Sequence, residues 1–297
     1  MVPINTAQYV DIHGDLDIDT LERASIVAGL EFGSGFIRLV EVGREICQYV
    51  DPDLPGRLDC VDVRDAVDPE IAALTWMRNE YSQTIDLMSD RLVRTAVIRV
   101  GDQRWFWYSC AHHIVLDGYG AASFTARIAE LYTAAVTGVD APDNKATDLR
   151  ALYESEIAYR DSSRFESDKQ HWAQRVAGLE GGSSLTGRSA PPSPVNDVTS
   201  AALSPTQEER LTEAVSRQDS TLAGLFIAGF AAYLAQFSGT EDVVLSLTVT
   251  ARTTAVMRRA GGSVANIVPL RLRVGHDTTV AELLRAVTTE VSGALRH

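Results

Sequence analysis

The segment His112-His113-Ile114-Val115-Leu116-Asp117-Gly118 has the pattern His-His-x-x-x-Asp-Gly and joins two regular elements. The run before it, residues 105–111, is rich in aromatic residues, which is typical of a buried strand. After it, apolar residues recur at steps of three and four up to Gly138, which predicts a helix with one apolar face that ends at this glycine. The two histidines are therefore predicted at the end of a core strand.

Paired histidines in this position favour an acyl-transfer site. An imidazole held partly away from water binds its proton less tightly, because burial disfavours the charged form, and the neutral ring then accepts a proton. We predict His113 as a general base on this ground. The alternative is a buried histidine that backbone hydrogen bonds satisfy, beside an ordinary Asp-Gly turn. The presence of a second histidine and the strand-to-helix setting favour the functional interpretation.

Asp117 lies four residues after His113 and is followed by Gly118, which tolerates backbone angles that a side chain forbids. A sharp turn out of the strand is expected here. In such a turn the carboxylate of Asp117 points either back beneath the imidazole or inward to a cation. Of the two, we favour the inward cation.

Composition limits the class of protein. The chain has 297 residues, of which 45% are hydrophobic, so it has enough apolar residues for one large core or two ordinary ones, and we expect two lobes. Lys and Arg number 27 against 40 Asp and Glu, and the net charge of −13 argues against binding to nucleic acid. The three cysteines, Cys47, Cys60 and Cys110, lack paired or metal-ligand spacing, which indicates a reducing, cytoplasmic compartment.

Neither a secretion signal nor a membrane partner is expected. No positively charged start followed by an apolar stretch is found near Met1. The longest apolar run, residues 222–237, contains Gln236 and is too short for a hydrocarbon core of about 30 Å, so we interpret it as a core helix.

Hydrophobic periodicity and turn residues place the remaining elements. Strands are predicted at residues 8–12, 36–50 (with a hairpin turn at Gly43-Arg44), 91–100, 104–112, 199–203 and 243–250, and helices at 68–79, 124–135, 147–179, 205–217 and 222–237. Glycine and proline are frequent in residues 181–197, which favours a linker or exposed loop. We predict an α/β fold with a parallel or mixed sheet, an N-terminal lobe over 1–180 and a C-terminal lobe over 198–297.

The chain resembles the condensation domains of nonribosomal peptide synthetases over essentially its whole length. A related His-x-x-x-Asp-Gly is shared with chloramphenicol acetyltransferase-like enzymes, so segments outside the motif narrow the resemblance. These segments are Asp168-Lys169-Gln170-His171-Trp172, Asp242-Val243-Val244-Leu245, Val249-Thr250-Ala251-Arg252 and Asn266-Ile267-Val268-Pro269-Leu270-Arg271.

This resemblance implies two chloramphenicol acetyltransferase-like lobes, each an α+β two-layer sandwich, arranged in a V around a tunnel. It implies a reaction in which the amine of a carrier-bound aminoacyl group attacks a carrier-bound acyl or peptidyl thioester and forms an amide. The expected partners are the donor and acceptor carrier domains and an adjacent adenylation domain. Phosphopantetheine arms tether the substrates, and no directly bound cofactor is expected.

The resemblance also implies roles for single residues. His113 accepts or orients the proton of the amine, and His112 packs to shape the loop. We expect Gly118 to present a backbone N–H to the tetrahedral oxyanion. Asp117 is expected to form a structural ion pair with Arg252, since a buried carboxylate needs a partner. Without the resemblance, the simpler interpretation of Arg252 is a charged side chain on a solvent-exposed loop.

Departures from the family pattern lie at both ends. The first family motif has no counterpart in residues 1–5, the second is degenerate around residues 29–36, and the chain stops at Arg296-His297. The resemblance therefore implies a chain truncated at both ends, with an incomplete second lobe, and a poor catalyst on its own.

Other functions of the same fold stay open: a non-catalytic recruitment module, an epimerase, or a coenzyme A-dependent acyltransferase. A metal site at His112, His113 and Asp117 is not expected, because adjacent strand residues point to opposite faces and no further cluster completes a coordination shell.

Overall fold

The computed structural model describes residues 4–54, 56–179, 181–188 and 199–297. Contacts divide the chain into two compact units, Met1–Ala158 with Arg252–Ala265 and Tyr159–Ala251 with Asn266–His297. These limits do not coincide with the predicted lobe boundaries. Most of the predicted linker, residues 189–197, lies outside the described residues, and the linker stays a prediction.

A mixed sheet forms the centre of the first unit. Its strands are β1 (Asn5–His13), β4 (Leu58–Asp62), β5 (Val93–Gly101) and β6 (Arg104–His112), in the order β1-β6-β5-β4, and a separate hairpin consists of β2 (Ile37–Val42) and β3 (Glu45–Val50). Strand β6 is antiparallel to both of its neighbours, whereas β4 is parallel to β5. The sheet therefore places the predicted motif strand, β6, in an interior position.

Helices cover both faces of this sheet. The first unit contains α1 (Ile18–Phe32), α2 (Pro69–Tyr81), α3 (Gly118–Thr137) and most of α4 (Leu149–Arg160). Alternate residues of β5 face opposite layers: Val97 packs with α1 and α3, while Ala96 and Ile98 pack with α2. The predicted α/β class is confirmed by this arrangement.

Local capping explains several helix limits. Asp68 accepts a hydrogen bond from the N–H of Ile71 with Pro69 in the first turn, and α3 ends at Gly138, which has a left-handed φ of 69°. The sequence analysis missed α1, which Asp17 caps at its start and Gly33 ends with a φ of 74°. Its glycine- and acid-containing pattern is a weak helical signal.

The predicted single helix over residues 147–179 is wrong, because the chain forms α4 and then α5 (Ser163–Arg175). Ser162 interrupts the helix: its N–H donates to the carbonyl of Tyr159, and its hydroxyl caps α5 by accepting from the N–H of Phe165.

The second unit contains the antiparallel pair β7 (Asp242–Val249) and β8 (Asn266–Arg273) with α6 (Pro205–Ser216), α7 (Leu222–Ser238) and α9 (Val280–Ala294). Its core joins α7, β7, β8 and α9 through Ala231, Val243, Leu272 and Val287. The strand predicted at 199–203 is wrong. Those residues are exposed and pair with no strand in the described part of the chain.

In the part of the chain that the structure describes, no helix combines the length and the apolar character that a membrane crossing requires.

Candidate active site

The turn between β6 and α3 carries the candidate site. Val115 and Leu116 in this turn are buried, so the turn is anchored in the core. The backbone N–H of His112 donates to the carbonyl of Leu92 at 2.8 Å, and that of His113 donates to the carbonyl of Ile4 at 2.8 Å. The residues that directly precede β5 and β1 therefore fix the backbone of the two histidines.

The surroundings of His112 indicate a structural role. It is half-buried, and its Nδ1 accepts a hydrogen bond from the N–H of Ile114 at 3.2 Å. That bond requires an unprotonated Nδ1. Burial, with a smaller contribution from the neighbouring His113, lowers the pKa of His112 below its ordinary value. His112 therefore holds the turn as a neutral ring.

His113 differs from the expectation of partial burial, because it is exposed. The reason is that β6 ends at His112, so His113 is the first residue of the exposed turn that leaves the sheet. Among the described residues no side chain hydrogen-bonds or ion-pairs with its ring. The imidazole is therefore free to meet a reacting group from solvent.

Asp117 points inward and is only 1% exposed. It caps α3 by accepting from the N–H of Gly120 at 2.7 Å, and its Oδ2 accepts from the N–H groups of Val264 and Ala265 at 2.8 Å each. The Nη2 of Arg252 donates to Oδ1 at 2.9 Å and to Oδ2 at 3.0 Å. The structure thus brings Asp117 and Arg252 together.

These contacts set the charge of Asp117. Burial acts to raise the pKa of this carboxyl, but the hydrogen bonds from Gly120, Val264, Ala265 and Arg252 outweigh burial and leave its pKa below the ordinary value. The carboxylate is an ionised structural anchor.

The side chain of Arg252 is buried as completely as that of Asp117, so Arg252 is not a solvated loop charge. Its Nη1 donates to the carbonyls of Met257 and Ala260 at 2.6 and 2.7 Å, and its Nη2 also donates to the carbonyl of Gly262 at 3.1 Å. The guanidinium therefore fixes the shape of the segment Arg252–Ala265, which includes the short helix α8 (Ala255–Arg259).

The sequence predicted that Gly118 is the glycine the turn requires, but the structure shows that this residue is Gly120. Gly118 has no left-handed φ, and a Cβ at that residue would meet nothing within 4 Å. At Gly120 a Cβ would lie 2.9 Å from the carbonyl oxygen of Gly262. The close approach of α3 to the Arg252–Ala265 segment needs Gly120. The Gly-x-Gly sequence that directly follows Asp117 is the feature that could have indicated this close approach.

Ser34 was also missed. Its buried hydroxyl accepts a hydrogen bond from the N–H of Gly262 at 3.0 Å, and Gly262 has a left-handed φ of 84°. Ser34 thus holds the same segment from the 3-10 turn Ser34–Phe36 that follows α1. Its place in the degenerate stretch 29–36 gave no sequence signal.

The cysteines offer no nucleophile here. Cys47, Cys60 and Cys110 are free thiols, and burial, with a further contribution from Glu80, raises the pKa of Cys110 to about 11. Within the described ranges, no three or more His, Cys, Asp and Glu side chains are grouped so as to hold a metal ion.

The site therefore combines an exposed imidazole with the N-terminus of a long helix. The N–H groups of Gly118 and Tyr119 have no acceptor among the described residues, and the helix dipole adds positive potential at this end. This arrangement suits proton acceptance by His113 next to stabilisation of a developing negative charge.

Comparison with known proteins agrees with this chemistry. The family model of the condensation domain matches residues 4–297. A dimodular nonribosomal peptide synthase from Bacillus subtilis is 32% identical over 293 residues, covering 99% of this chain and 12% of that protein. Enterobactin synthase component F from Escherichia coli O157:H7 is 29% identical over 303 residues, again 99% of this chain, and 23% of that protein. The chain thus spans less than a quarter of the length of these relatives.

Solved structures give the same picture. The first condensation domain of the calcium-dependent antibiotic synthetase, in complex with a substrate analogue, has a TM-score of 0.89 at 31% identity, covering 99% of this chain and 70% of that one. The starter condensation domain of rhizomide synthetase, in complex with C8-CoA, has a TM-score of 0.87 at 28% identity, covering 99% and 67%.

Proposed function

The chain belongs to the condensation domain family, and on that premise we propose that it forms an amide bond between two substrates held on carrier domains. The observation that carries the proposal is the contrast between two residues of the motif. His113 is exposed and has no partner among the described residues, whereas Asp117 is buried and both of its carboxylate oxygens accept hydrogen bonds.

In the proposed reaction the amine nitrogen of the acceptor attacks the carbonyl carbon of the donor thioester. A C–N bond forms and the carbonyl oxygen becomes an oxyanion; the C–S bond then breaks and the thiolate leaves. His113 takes or orients the proton that the amine loses, and this proton then converts the leaving thiolate to a thiol. Holding two tethered reactants together supplies much of the rate.

The N-terminus of α3 is the proposed oxyanion site. The N–H of Gly118 has no acceptor in the described part of the chain, whereas the N–H of Gly120 already donates to the buried carboxylate of Asp117. The oxyanion therefore uses the outer N–H groups, where the helix dipole favours negative charge.

The substrates and partners follow from this reaction and are part of the proposal. Donor and acceptor carrier domains bring phosphopantetheine thioesters, and an adenylation domain loads the acceptor amino acid. We place the reaction in the cytoplasm, where such thiols stay reduced.

Replacing His113 by alanine tests the catalytic role. With acyl- and aminoacyl-loaded carrier proteins as substrates, H113A is expected to lower the rate of amide formation by about 10²–10⁴-fold, the usual contribution of a general base. H113Q, which keeps a polar group but cannot accept the proton in the same way, is expected to be equally impaired. The matched control is His13→Ala, because His13 is an exposed histidine at the end of β1 in the same unit.

The same variants separate the enzyme from a recruitment module. Retained carrier binding by H113A with loss of amide formation supports condensation. If H113A changes neither carrier binding nor any activity of the wild type, the chain acts in recruitment and the catalytic proposal fails.

A coenzyme A-dependent acyl transfer is the second candidate, because a similar starter domain was solved with C8-CoA. Offering the donor as an acyl-CoA ester in place of the loaded donor carrier decides between them. A higher kcat/KM with the acyl-CoA ester favours the second candidate.

A further inference from the structure

Arg252 is hydrogen-bonded only within the plane of its guanidinium. All five N–H groups of a guanidinium lie in one plane, so its two faces have no donors. The in-plane partners of Arg252 are the carboxylate of Asp117 and three backbone carbonyls. A buried guanidinium face is stabilised only by something that lies on it, and an aromatic ring is suited to this.

Tyr119 supplies that ring. The Cζ of Arg252 lies 4.7 Å from the centroid of the Tyr119 ring, which is within the range of a cation–π contact. Tyr119 directly follows Gly118 in the first turn of α3. It is 39% exposed, so its ring separates the buried guanidinium from solvent.

The phenol of Tyr119 makes a second contact with the same segment. Its hydroxyl donates to the carbonyl of Arg258 at 3.4 Å, at the end of α8. The side chain of Arg258 in turn donates to the carbonyl of Thr253 at 3.0 Å. One tyrosine therefore contacts both the anchor and the helical turn of the segment Arg252–Ala265.

We propose that Tyr119 is a positioning residue that holds the Arg252 guanidinium against Asp117 and so fixes the first turn of α3 next to His113. Loss of the ring lets water reach the guanidinium, which weakens the contacts that Asp117 makes with Val264 and Ala265. The kinetic part of this inference rests on the proposed amide-forming function, while the structural part does not.

Hydrogen–deuterium exchange tests the structural part. In Tyr119→Met, a flexible apolar side chain replaces the aromatic ring, and exchange of the amides of Val264 and Ala265 is expected to rise about 10-fold. That factor corresponds to a cation–π contact of intermediate strength. In Tyr119→Phe the ring is retained, and exchange at both amides is expected to stay within about twofold of wild type.

Tyr153→Met is the matched control, because Tyr153 is an exposed tyrosine on α4 in the same unit. It is expected to leave exchange at Val264 and Ala265 unchanged. The proposal is overturned if Y119M leaves both amides unchanged, or if exchange in β5 rises as much as at these two amides, since the effect would then be global.

Kinetics with loaded carrier proteins test the remaining part. Y119M is expected to lower kcat about 10-fold with KM for the acceptor carrier unchanged within twofold, and Y119F is expected to restore most of kcat. A rise in KM with kcat unchanged would show a binding role and overturn the positioning role. If wild type itself forms no amide, the proposed function fails, whereas the exchange result still decides the structural inference.

Discussion

Asp117→Asn is the most informative single substitution, because it changes a buried charge and almost no volume. Both carboxylate oxygens of Asp117 accept from Arg252, Oδ1 also accepts from Gly120, and Oδ2 also accepts from Val264 and Ala265. Whichever way the new amide is oriented, its NH₂ group lies against the guanidinium of Arg252 and at least one backbone N–H. Two hydrogen-bond donors then face each other without an acceptor between them.

The expected loss of stability is about 4 kcal/mol. Removing one member of a buried ion pair costs about 3–5 kcal/mol, because the other charge stays buried without compensation. Arg252 keeps its three carbonyl acceptors, which are neutral and do not balance its charge. The loss is a large fraction of the stability of a typical domain, about 5–15 kcal/mol.

Urea unfolding followed by tryptophan fluorescence measures this loss, since Trp76, Trp105 and Trp107 all lie in the first unit. The control is Asp11→Asn, which breaks the pair that Asp11 forms with Arg104 across β1 and β6, where both side chains are about one-third exposed. A partly exposed pair contributes about 0–1 kcal/mol. Equal losses for D117N and D11N would refute the argument that burial of the pair matters.

Acid pH provides a second measurement on Asp117. Its pKa is lower when folded than when unfolded, so the carboxylate contributes stability above the ordinary value of about 3.9, and this contribution is lost as pH falls through the lower folded pKa. Wild type should lose stability below about pH 4 more steeply than D117N. Parallel pH dependences would contradict this assignment.

Three further outcomes are expected. His112→Asn, which offers an oxygen where Nδ1 accepts from the turn, should keep stability within about 0.5 kcal/mol in urea unfolding, whereas H112A should lose about 1 kcal/mol; equal losses would argue against that bond. Iodoacetamide at pH 8 should modify the exposed Cys60 faster than the buried Cys110, although burial of its sulfur and nearby carboxylates raise the pKa of Cys60 as well; burial raises the pKa of Cys110 to about 11, and peptide mass mapping will compare the two rates. Gly120→Ala should lose about 1–3 kcal/mol through its clash with a backbone oxygen, while Gly118→Ala should be neutral or stabilising by thermal unfolding, and the reverse order would contradict the packing.

Local signals explain why much of the fold was predictable. Strand β6 is a run of aromatic and apolar residues, and the hairpin that joins it to β5 turns at residues 101–103. Asp68, Pro69 and Gly138 mark helix limits through capping, which depends only on neighbours in sequence. The elements that failed had weak or misleading local patterns, such as α1 and the exposed residues 199–203.

The site was predictable in its residue types and less so in its geometry. The motif places two histidines at a strand end and requires a partner for an inward Asp117, and the resemblance to the family supplied Arg252. Burial was misjudged, because β6 ends at His112, which is half-buried, and His113 already lies in the exposed turn. Nothing in the local pattern marks Tyr119 as the residue that covers a guanidinium.

The amino-acid sequence by itself determined the elements whose signals are local: the motif strand, the turn with its histidine pair, and the capped helix that follows. Only the tertiary structure decided which groups complete the anchor, because Asp117 and Arg252 are 135 residues apart and Val264 and Ala265 are farther still. Periodicity and capping act over a few residues, whereas the pairing of a buried charge depends on which distant segments the folded chain brings within hydrogen-bond distance.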